Sequence, residues 1–235
     1  DRVATISIMP CLKCRQCLKG LEANCLASKH IGLHRWGGYA EYVAVPERNA
    51  FRIADNLSFA DGTVITRHFP MAFNLLSSKT TIKPGEWVLV MGAAGALGSC
   101  CVQVAKMSGA KVIAAAGADD RVALAMEYGA DFGVNYRTQD LAAEVMKLTD
   151  NDGVDVVCEN IADPMLWPGA FNSLAIGGRL VTAGAHGGGM VNLDVKRLYL
   201  RRQSILGAAG TNPPDVERAL DAARAGKIRA MNYRA

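Results

Sequence analysis

The chain has 235 residues, half of them hydrophobic, so it is long enough to bury a sizeable core. Its 26 basic and 22 acidic side chains leave a net charge of +4, and no basic run or mixture of aromatic and basic residues indicates a nucleic-acid surface. Within these 235 residues no apolar run reaches membrane length and no signal-peptide pattern is present, so we expect a cytoplasmic protein that binds neither membranes nor nucleic acids.

The two ends of the chain suggest a longer protein. The first residue is Asp1 instead of Met, and it enters an apolar stretch that predicts a strand over residues 2–9. The last residues, 231–235, stop without a capping residue or a tail. We therefore expect pieces of the protein to be missing at both ends.

Four of the seven cysteines crowd into one short segment, which we call the cysteine lobe: Cys11, Cys14, Cys17 and Cys25. Two-residue gaps let a chain fold back on one tetrahedral ion, and a closed shell of four thiolates leaves no place for water. The lobe therefore predicts a structural zinc. The alternative is four reduced cysteines in a loop. Seven is an odd count, which also argues against a disulfide framework.

Residues 37–46 predict a turn at Gly37 and Gly38, followed by an alternating strand that ends at Pro46. His30 and His34 flank this segment, either as surface or packing side chains or facing a substrate. Residues 61–76 predict a helix with a break near Pro70, and residues 83–86 predict a turn.

Three glycines at a spacing of three follow a short apolar run. Residues 88–91 predict a strand that is covered on both faces, and Gly92, Gly95 and Gly98 lead into a helical pattern that stops at Gly109. We call residues 92–98 the glycine turn. Such a turn brings free N–H groups at a helix start close to a pyrophosphate. The match to G-x-G-x-x-G is imperfect because Ala93 fills the first glycine position, and a ligand-free strand-to-helix turn is the alternative.

Strands and helices then alternate, which predicts an α/β fold with a doubly wound, Rossmann-type parallel sheet. The predicted strands span 111–116, 132–135, 154–159, 179–183 and 204–208. The predicted helices span 120–128, 140–149, 164–174 and 215–225.

Together these residues resemble the medium-chain dehydrogenase/reductase superfamily, in its zinc-containing alcohol dehydrogenase and quinone oxidoreductase group. The resemblance covers essentially the whole chain. It depends on the cysteine lobe, on the segments 37–42 and 83–85, on the glycine turn and on 177–179. It implies a partial, mostly-β (GroES-like) catalytic domain over residues 1–60, a dinucleotide-binding domain over 61–206, and a return segment over 207–235.

The resemblance also implies catalytic residues, and here the sequence departs from the family. Arg67 stands where the alcohol dehydrogenases place a third catalytic-zinc ligand, and arginine has no free lone pair for a metal. His68 is adjacent and could bind a zinc if the loop shifted, or could be an ordinary histidine at the start of a helix. Arg67 could instead hold an anionic group or lie at a domain interface. Met71 replaces the family's usual threonine.

The end of the second sheet strand bears on the cofactor. NAD-selective folds place an acid there, but this chain has Ala116 and Gly117, with Arg121 and Tyr136-Arg137 at positions that the quinone reductase branch uses for a 2′-phosphate. We therefore expect NADP(H) in preference to NAD(H), although Asp119 and Asp120, which we assign to N-capping, argue the other way. The predicted cofactor-binding residues are Gly92, Ala93, Ala94, Gly95, Ala96, Leu97, Gly98, Gly117, Arg121, Tyr136, Asn160, Gly184 and Ala185.

The resemblance implies an oxidoreductase that transfers hydride between a nicotinamide and a small alcohol or carbonyl substrate, in a homodimer or homotetramer. Two alternatives stay open. One is a quinone or enone reductase with no catalytic zinc. The other is a nucleotide-binding relative that has lost its catalytic ligands, for which Arg67 and Met71 argue.

Overall fold

The computed structural model describes residues 1–231. The chain forms two compact units, and the division falls after Met71. Unit 1 contains residues 1–71 together with the segment that begins at Ala209, and unit 2 contains residues 72–208. None of the helices in residues 1–231 is both long and apolar enough to cross a membrane.

Unit 1 has short strands and two helices of nine residues or more. Its strands are β1 (Val3–Thr5), β2 (Ile8–Met9), β3 (Lys29–His30) and β4 (Ala50–Arg52). Its helices are α1 (Arg15–Leu18), α2 (Phe59–Arg67) and α9 (Pro213–Arg224), with 3₁₀ turns at Glu22–Asn24 and Glu47–Asn49. Helix α3 (Phe69–Phe73) spans the division between the units.

The single strand predicted for residues 2–9 is two strands with different partners. β1 pairs antiparallel with β4, and β2 pairs antiparallel with β3. The buried Asn49 side chain donates to the carbonyl oxygens of Ile6 and Ile8, which satisfies the backbone where the chain leaves one pairing for the other.

The strand predicted after Gly38 is wrong. Residues 39–46 have no regular structure, and the side chains of Tyr39 and Tyr42 are exposed. Within residues 1–231 this segment has no strand partner, and an alternating pattern alone supplies no ladder hydrogen bonds.

Unit 2 is a six-stranded parallel sheet with the order β10-β9-β8-β5-β6-β7. The strands are β5 (Trp87–Met91), β6 (Lys111–Ala116), β7 (Phe132–Asn135), β8 (Val154–Glu159), β9 (Leu174–Thr182) and β10 (Ser204–Gly207). The helices are α4 (Ala96–Met107), α5 (Asp119–Glu127), α6 (Leu141–Leu148), α7 (Trp167–Asn172) and α8 (Val195–Leu200), and a π-helix spans Asn74–Lys79. The predicted doubly wound α/β fold is confirmed.

The sheet core is apolar on both faces. Val88, Leu89, Val90 and Met91 of β5 are completely buried, as expected for a central strand of a parallel sheet. Leu174 begins β9 five residues before the predicted start, because it pairs with Val154 ahead of a register shift. The predicted helix 164–174 is correspondingly shorter.

Candidate functional site: a glycine turn at the sheet switch point, and a cysteine cluster

The glycine turn lies where the strand order reverses. The chain runs from β5 outward through β6 and β7, and then returns to β8 on the other side of β5. Ligands of doubly wound sheets bind at such a switch point, outside the carboxyl ends of the strands. Asn160 follows β8 there, and its Nδ2 donates to the carbonyl oxygen of Met91 at 3.3 Å. The two strand ends that flank the reversal are thus joined directly.

Glycine is needed in the turn because the backbone passes close to itself. A Cβ placed on Gly98 would lie 2.1 Å from the carbonyl oxygen of Gly92, and one placed on Gly95 would lie 3.1 Å from the same atom. Gly92 has a φ of +61°, a left-handed conformation that glycine adopts readily. The 2.8 Å hydrogen bond from Gly95 N–H to the Gly92 carbonyl closes the turn.

The start of α4 suits an anion. Its N-cap is Gly95, and no side chain caps the helix. The first N–H groups of a helix have no acceptor within it, and they carry the positive end of the helix dipole. The turn therefore offers the backbone donors and the close approach that a pyrophosphate requires.

Gly117 lies beside Tyr136 and Arg137. A Cβ on Gly117 would lie 3.1 Å from the Tyr136 hydroxyl oxygen and 3.2 Å from Arg137 Nε. Arg121 is exposed on α5. The N-capping role expected for the two acids is wrong, since Ala118 is the N-cap of α5 and Asp119 accepts a hydrogen bond of 2.7 Å from Asn135 Nδ2.

Gly184 and Ala185 follow β9 at the same edge of the sheet. A Cβ on Gly184 would lie 2.3 Å from the carbonyl oxygen of Asn160, so these two loops are in close backbone contact. Glu159, the last residue of β8, is 1% exposed, and sequence reasoning missed it. The available signal was an acid at the carboxyl end of a strand whose three preceding residues, 156–158, are apolar.

The four cysteines of the lobe come together in unit 1. Their sulfur atoms all lie within 4.8 Å of one another; Cys14 Sγ is 3.5 Å from Cys17 Sγ and 3.9 Å from Cys25 Sγ. A tetrahedral zinc with Zn–S bonds of about 2.3 Å needs sulfurs about 3.8 Å apart. The cluster therefore fits a four-thiolate metal site.

Local electrostatics act in opposite directions on two cysteines of the cluster. Backbone hydrogen bonds from Lys13 and Cys14 lower the pKa of Cys11 to about 6, whereas burial and the neighbouring thiols raise the pKa of Cys17 to about 12. Metal binding requires deprotonated thiols, so a cation would be needed to hold all four as thiolates at neutral pH.

The predicted catalytic residues lie at the end of α2. Arg67 is its exposed last residue, and His68 is its half-buried C-cap, directly before the start of α3 at Phe69. Burial, and secondarily the charge of Arg67, lowers the pKa of His68, which favours neutral imidazole. Within residues 1–231, no further group of three or more metal-ligating side chains surrounds His68.

Comparisons with known proteins agree with this architecture. Residues 96–225 match the family described as zinc-binding dehydrogenase, and residues 1–55 match the alcohol dehydrogenase GroES-like domain. The chain therefore belongs to the zinc-binding dehydrogenase family of the medium-chain dehydrogenase/reductase superfamily, as the sequence predicted.

Individual relatives give the degree of similarity. Quinone oxidoreductase-like protein 2 of Rattus norvegicus is 35% identical over 75% of this chain and 51% of its own length. An NAD-dependent alcohol dehydrogenase of Sulfolobus acidocaldarius is 30% identical over 93% of this chain and 62% of its own. A crystal structure of an NAD-dependent alcohol dehydrogenase superposes with a TM-score of 0.90 at 34% identity, over 97% of this chain and 66% of that one. The chain thus spans about half to two thirds of these proteins.

Proposed function

We propose that this protein is an oxidoreductase that transfers hydride between a nicotinamide dinucleotide and an alcohol or carbonyl substrate. The observation that carries the proposal is the glycine turn at the switch point, where a Cβ on Gly98 would lie 2.1 Å from a backbone oxygen and the start of α4 has no capping side chain. When bound, the nicotinamide supplies or accepts the hydride, and the protein's part is to bind and orient it.

The residues of unit 2 have separable roles in this proposal. Residues 92–98 hold the pyrophosphate through the backbone N–H groups at the start of α4, while the N–H groups of Ala93 and Gly95 bond within the protein. Gly117 and Tyr136 hold the adenosine ribose, with Arg121 and Arg137 as cations for a 2′-phosphate. Asn160, Gly184 and Ala185 flank the nicotinamide, and the segments that carry these three residues meet at the carboxyl edge of the sheet.

NADP(H) is the cofactor we favour. β6 ends at Ala116 and Gly117 follows it, so no carboxylate stands there to repel a 2′-phosphate. Asp119 is held by Asn135, while the Arg137 guanidinium lies against Gly117. NAD(H) is the alternative, because two similar proteins are described as NAD-dependent.

We propose one structural zinc site and name a candidate ligand for a second, catalytic zinc. The four cysteines hold a structural ion in this proposal, since their spacing fits four thiolates. His68 is the candidate ligand for a catalytic ion, with Arg67 as the candidate anchor for an anionic group. A quinone or enone reductase without catalytic zinc is the second candidate function, favoured by the similarity to quinone oxidoreductase-like protein 2.

The decisive experiment titrates the protein with NADPH and with NADH and follows nicotinamide fluorescence and melting temperature. We expect Arg137→Ala to weaken NADPH binding by about 10- to 100-fold, the worth of a charged hydrogen bond, and to leave NADH binding unchanged. Arg121→Ala tests the second cation, and Lys147→Ala on α6 controls for a lost positive charge. Failure of the unmodified protein to bind either nucleotide would refute the proposal.

Metal analysis and turnover separate the candidate functions. Two zinc ions per full-length chain with alcohol or aldehyde turnover support the alcohol dehydrogenase, and one zinc with quinone turnover supports the reductase. NADPH binding without turnover on either substrate panel supports the non-catalytic relative. Light scattering tests the expected homodimer or homotetramer.

A further inference from the structure

Glu159 is a buried carboxylate that holds backbone donors beyond the end of its own strand. Its Oε1 accepts from Ile161 N–H at 2.8 Å and from Ala162 N–H at 2.9 Å. Its Oε2 accepts from Ala162 N–H at 3.0 Å and from the Thr182 hydroxyl of β9 at 3.4 Å. All of these partners are donors, which is the arrangement that an ionised carboxylate requires.

The segment held by Glu159 in turn holds the loop after β9. The carbonyl oxygen of Ile161 accepts from Gly187 N–H at 2.7 Å, and that of Ala162 accepts from Gly189 N–H at 3.2 Å. The approach is close, since a Cβ on Gly187 would lie 2.6 Å from Asp163 Cα. Displacing residues 160–163 would therefore displace residues 184–189 as well.

The same segment contacts the glycine turn. A Cβ on Gly92 would lie 3.5 Å from Ile161 Cγ1, so the Ile161 side chain packs against the start of the turn. Asn160 Nδ2 donates to Met91, one residue earlier. One carboxylate thus fixes the spacing of three segments: the glycine turn, residues 160–163 and residues 184–189.

The segment requires such a support. Ala162 has a φ of +52°, a left-handed conformation that is unfavourable for a residue with a Cβ. Burial, aided by Asp163, raises the pKa of Glu159, and its backbone and hydroxyl donors act in the opposite direction. Burial makes ionisation of this carboxyl group unfavourable. The hydrogen bonds that it accepts from the segment offset that cost.

We propose that Glu159 is a positioning residue for the dinucleotide, and that its carboxylate sets the distance between the glycine turn and the loops that flank the nicotinamide. This inference rests on the proposed function. In this proposal Glu159 does not touch the nucleotide and acts through the backbone segments that it holds. Its loss should therefore weaken binding of the nicotinamide half more than binding of the adenosine half.

The test compares Glu159→Gln with the unmodified protein for four probes: NADPH and its fragment adenosine 2′,5′-bisphosphate, and NADH and its fragment ADP. The Gln amide presents a donor toward donors, so segment 160–163 should shift. We expect the dissociation constant of the intact dinucleotide to rise by roughly tenfold or more, because small misplacements of binding groups have effects of this size. The dissociation constant of each fragment should stay within about twofold of its value for the unmodified protein, since the proposed contacts of the fragments are to the glycine turn and the end of β6.

Glu86→Gln is the matched control. Glu86 is also a partly buried carboxylate of unit 2, but it precedes β5 at the amino edge of the sheet and pairs with Arg179. It should leave all four dissociation constants unchanged. If Glu159→Gln does not fold, Thr182→Val removes the 3.4 Å bond alone and should raise the dinucleotide constant to a smaller extent.

The outcomes are distinct. Equal weakening of dinucleotide and fragment would mean a general structural role and would overturn the inference, as would unchanged dinucleotide binding in both variants at Glu159 and Thr182. In these cases the unmodified protein still binds, and the proposed function stands. If the unmodified protein binds none of the four probes, the proposed function fails and the inference fails with it.

Discussion

The cysteine lobe and the parallel sheet are stabilised by different means. Of the lobe's four cysteines only Cys17 and Cys25 are buried, and the leucines at 12, 18, 21 and 26 are exposed. The sheet core is a continuous cluster whose members all lie between Trp87 and Ile205. A segment with so little apolar burial needs another source of stability, and four converging thiols supply it only if they hold an ion. The sheet needs no ion, because apolar burial of about 25 cal/mol per Å² is its main source of stability.

Breaking the metal site should have the largest effect and should be confined to the lobe. We expect Cys14→Ser, or a strong chelator, to lower the zinc content by one ion per chain and to unfold residues 11–25. Structural zinc contributes about 10–16 kcal/mol in small zinc domains, far more than the lobe's packing. Metal analysis and amide hydrogen exchange measure the two effects. Amides of β5 should keep their protection.

Cys100→Ser is the control for this experiment. Cys100 is a buried cysteine of α4 outside the cluster, and its thiol donates to the Ala96 carbonyl, a bond that serine can also make. The variant should keep its zinc. Retention of zinc and of lobe protection by Cys14→Ser would contradict the metal site, and loss of protection in β5 would contradict the difference between the two regions.

The sheet has a steric weak point, and a single methyl group there should damage it. Gly98→Ala places a Cβ 2.1 Å from the Gly92 oxygen and within 2.9 Å of Ala93 Cα, all of them backbone atoms, so α4 must move away from the turn. We expect a loss of about 3 kcal/mol in unfolding free energy and loss of dinucleotide binding. Gly207→Ala in β10 is the matched control, because a Cβ there has no neighbour within 4 Å. Equal behaviour of the two variants in thermal unfolding would contradict the close approach.

The sheet was predictable because its signals are local. Apolar runs bounded by glycines and polar turns predicted β6, β7 and β8 with their observed bounds. β6 and β8 are almost entirely buried, and even the edge strand β7, whose first two residues are exposed, lies between clear turn signals. The cysteine cluster was predictable for a similar reason: the ligand spacing lies within one loop.

The missed features depend on partners that are distant in sequence. The segment 39–46 has the alternation of a strand but no strand to pair with in residues 1–231. Asp119 stands where a helix cap is expected, yet its carboxylate accepts a hydrogen bond from the side chain of Asn135, sixteen residues later in the chain. Glu159 acts on two loops at once, and only the fold brings them together. Sequence patterns specify which elements form, whereas these side-chain partnerships are specified by topology.

The sheet also has an electrostatic contribution, which depends on pH and should be the smallest of the effects. Burial disfavours ionised Glu86, but hydrogen bonds from Arg179 and from Lys83 N–H outweigh it and lower the pKa of this carboxyl. A carboxylate whose pKa is lower in the folded protein stabilises the fold at pH values above its pKa in the unfolded chain, which is about 4.3 for glutamate. That contribution is lost as the pH falls through the pKa of the folded state.

We therefore expect Glu86→Gln to unfold at a lower temperature than the unmodified protein at pH 7, and the difference to shrink as the pH is lowered below about 4. Thermal unfolding between pH 3 and pH 8 measures it. Glu144→Gln is the control, since its pair with the exposed Lys147 is 3.9 Å long and such pairs contribute little. A difference that stays constant across this range would mean that Glu86 acts through packing alone. The sheet would then differ from the cysteine lobe even more sharply, as a region held together by apolar burial without help from ionised groups.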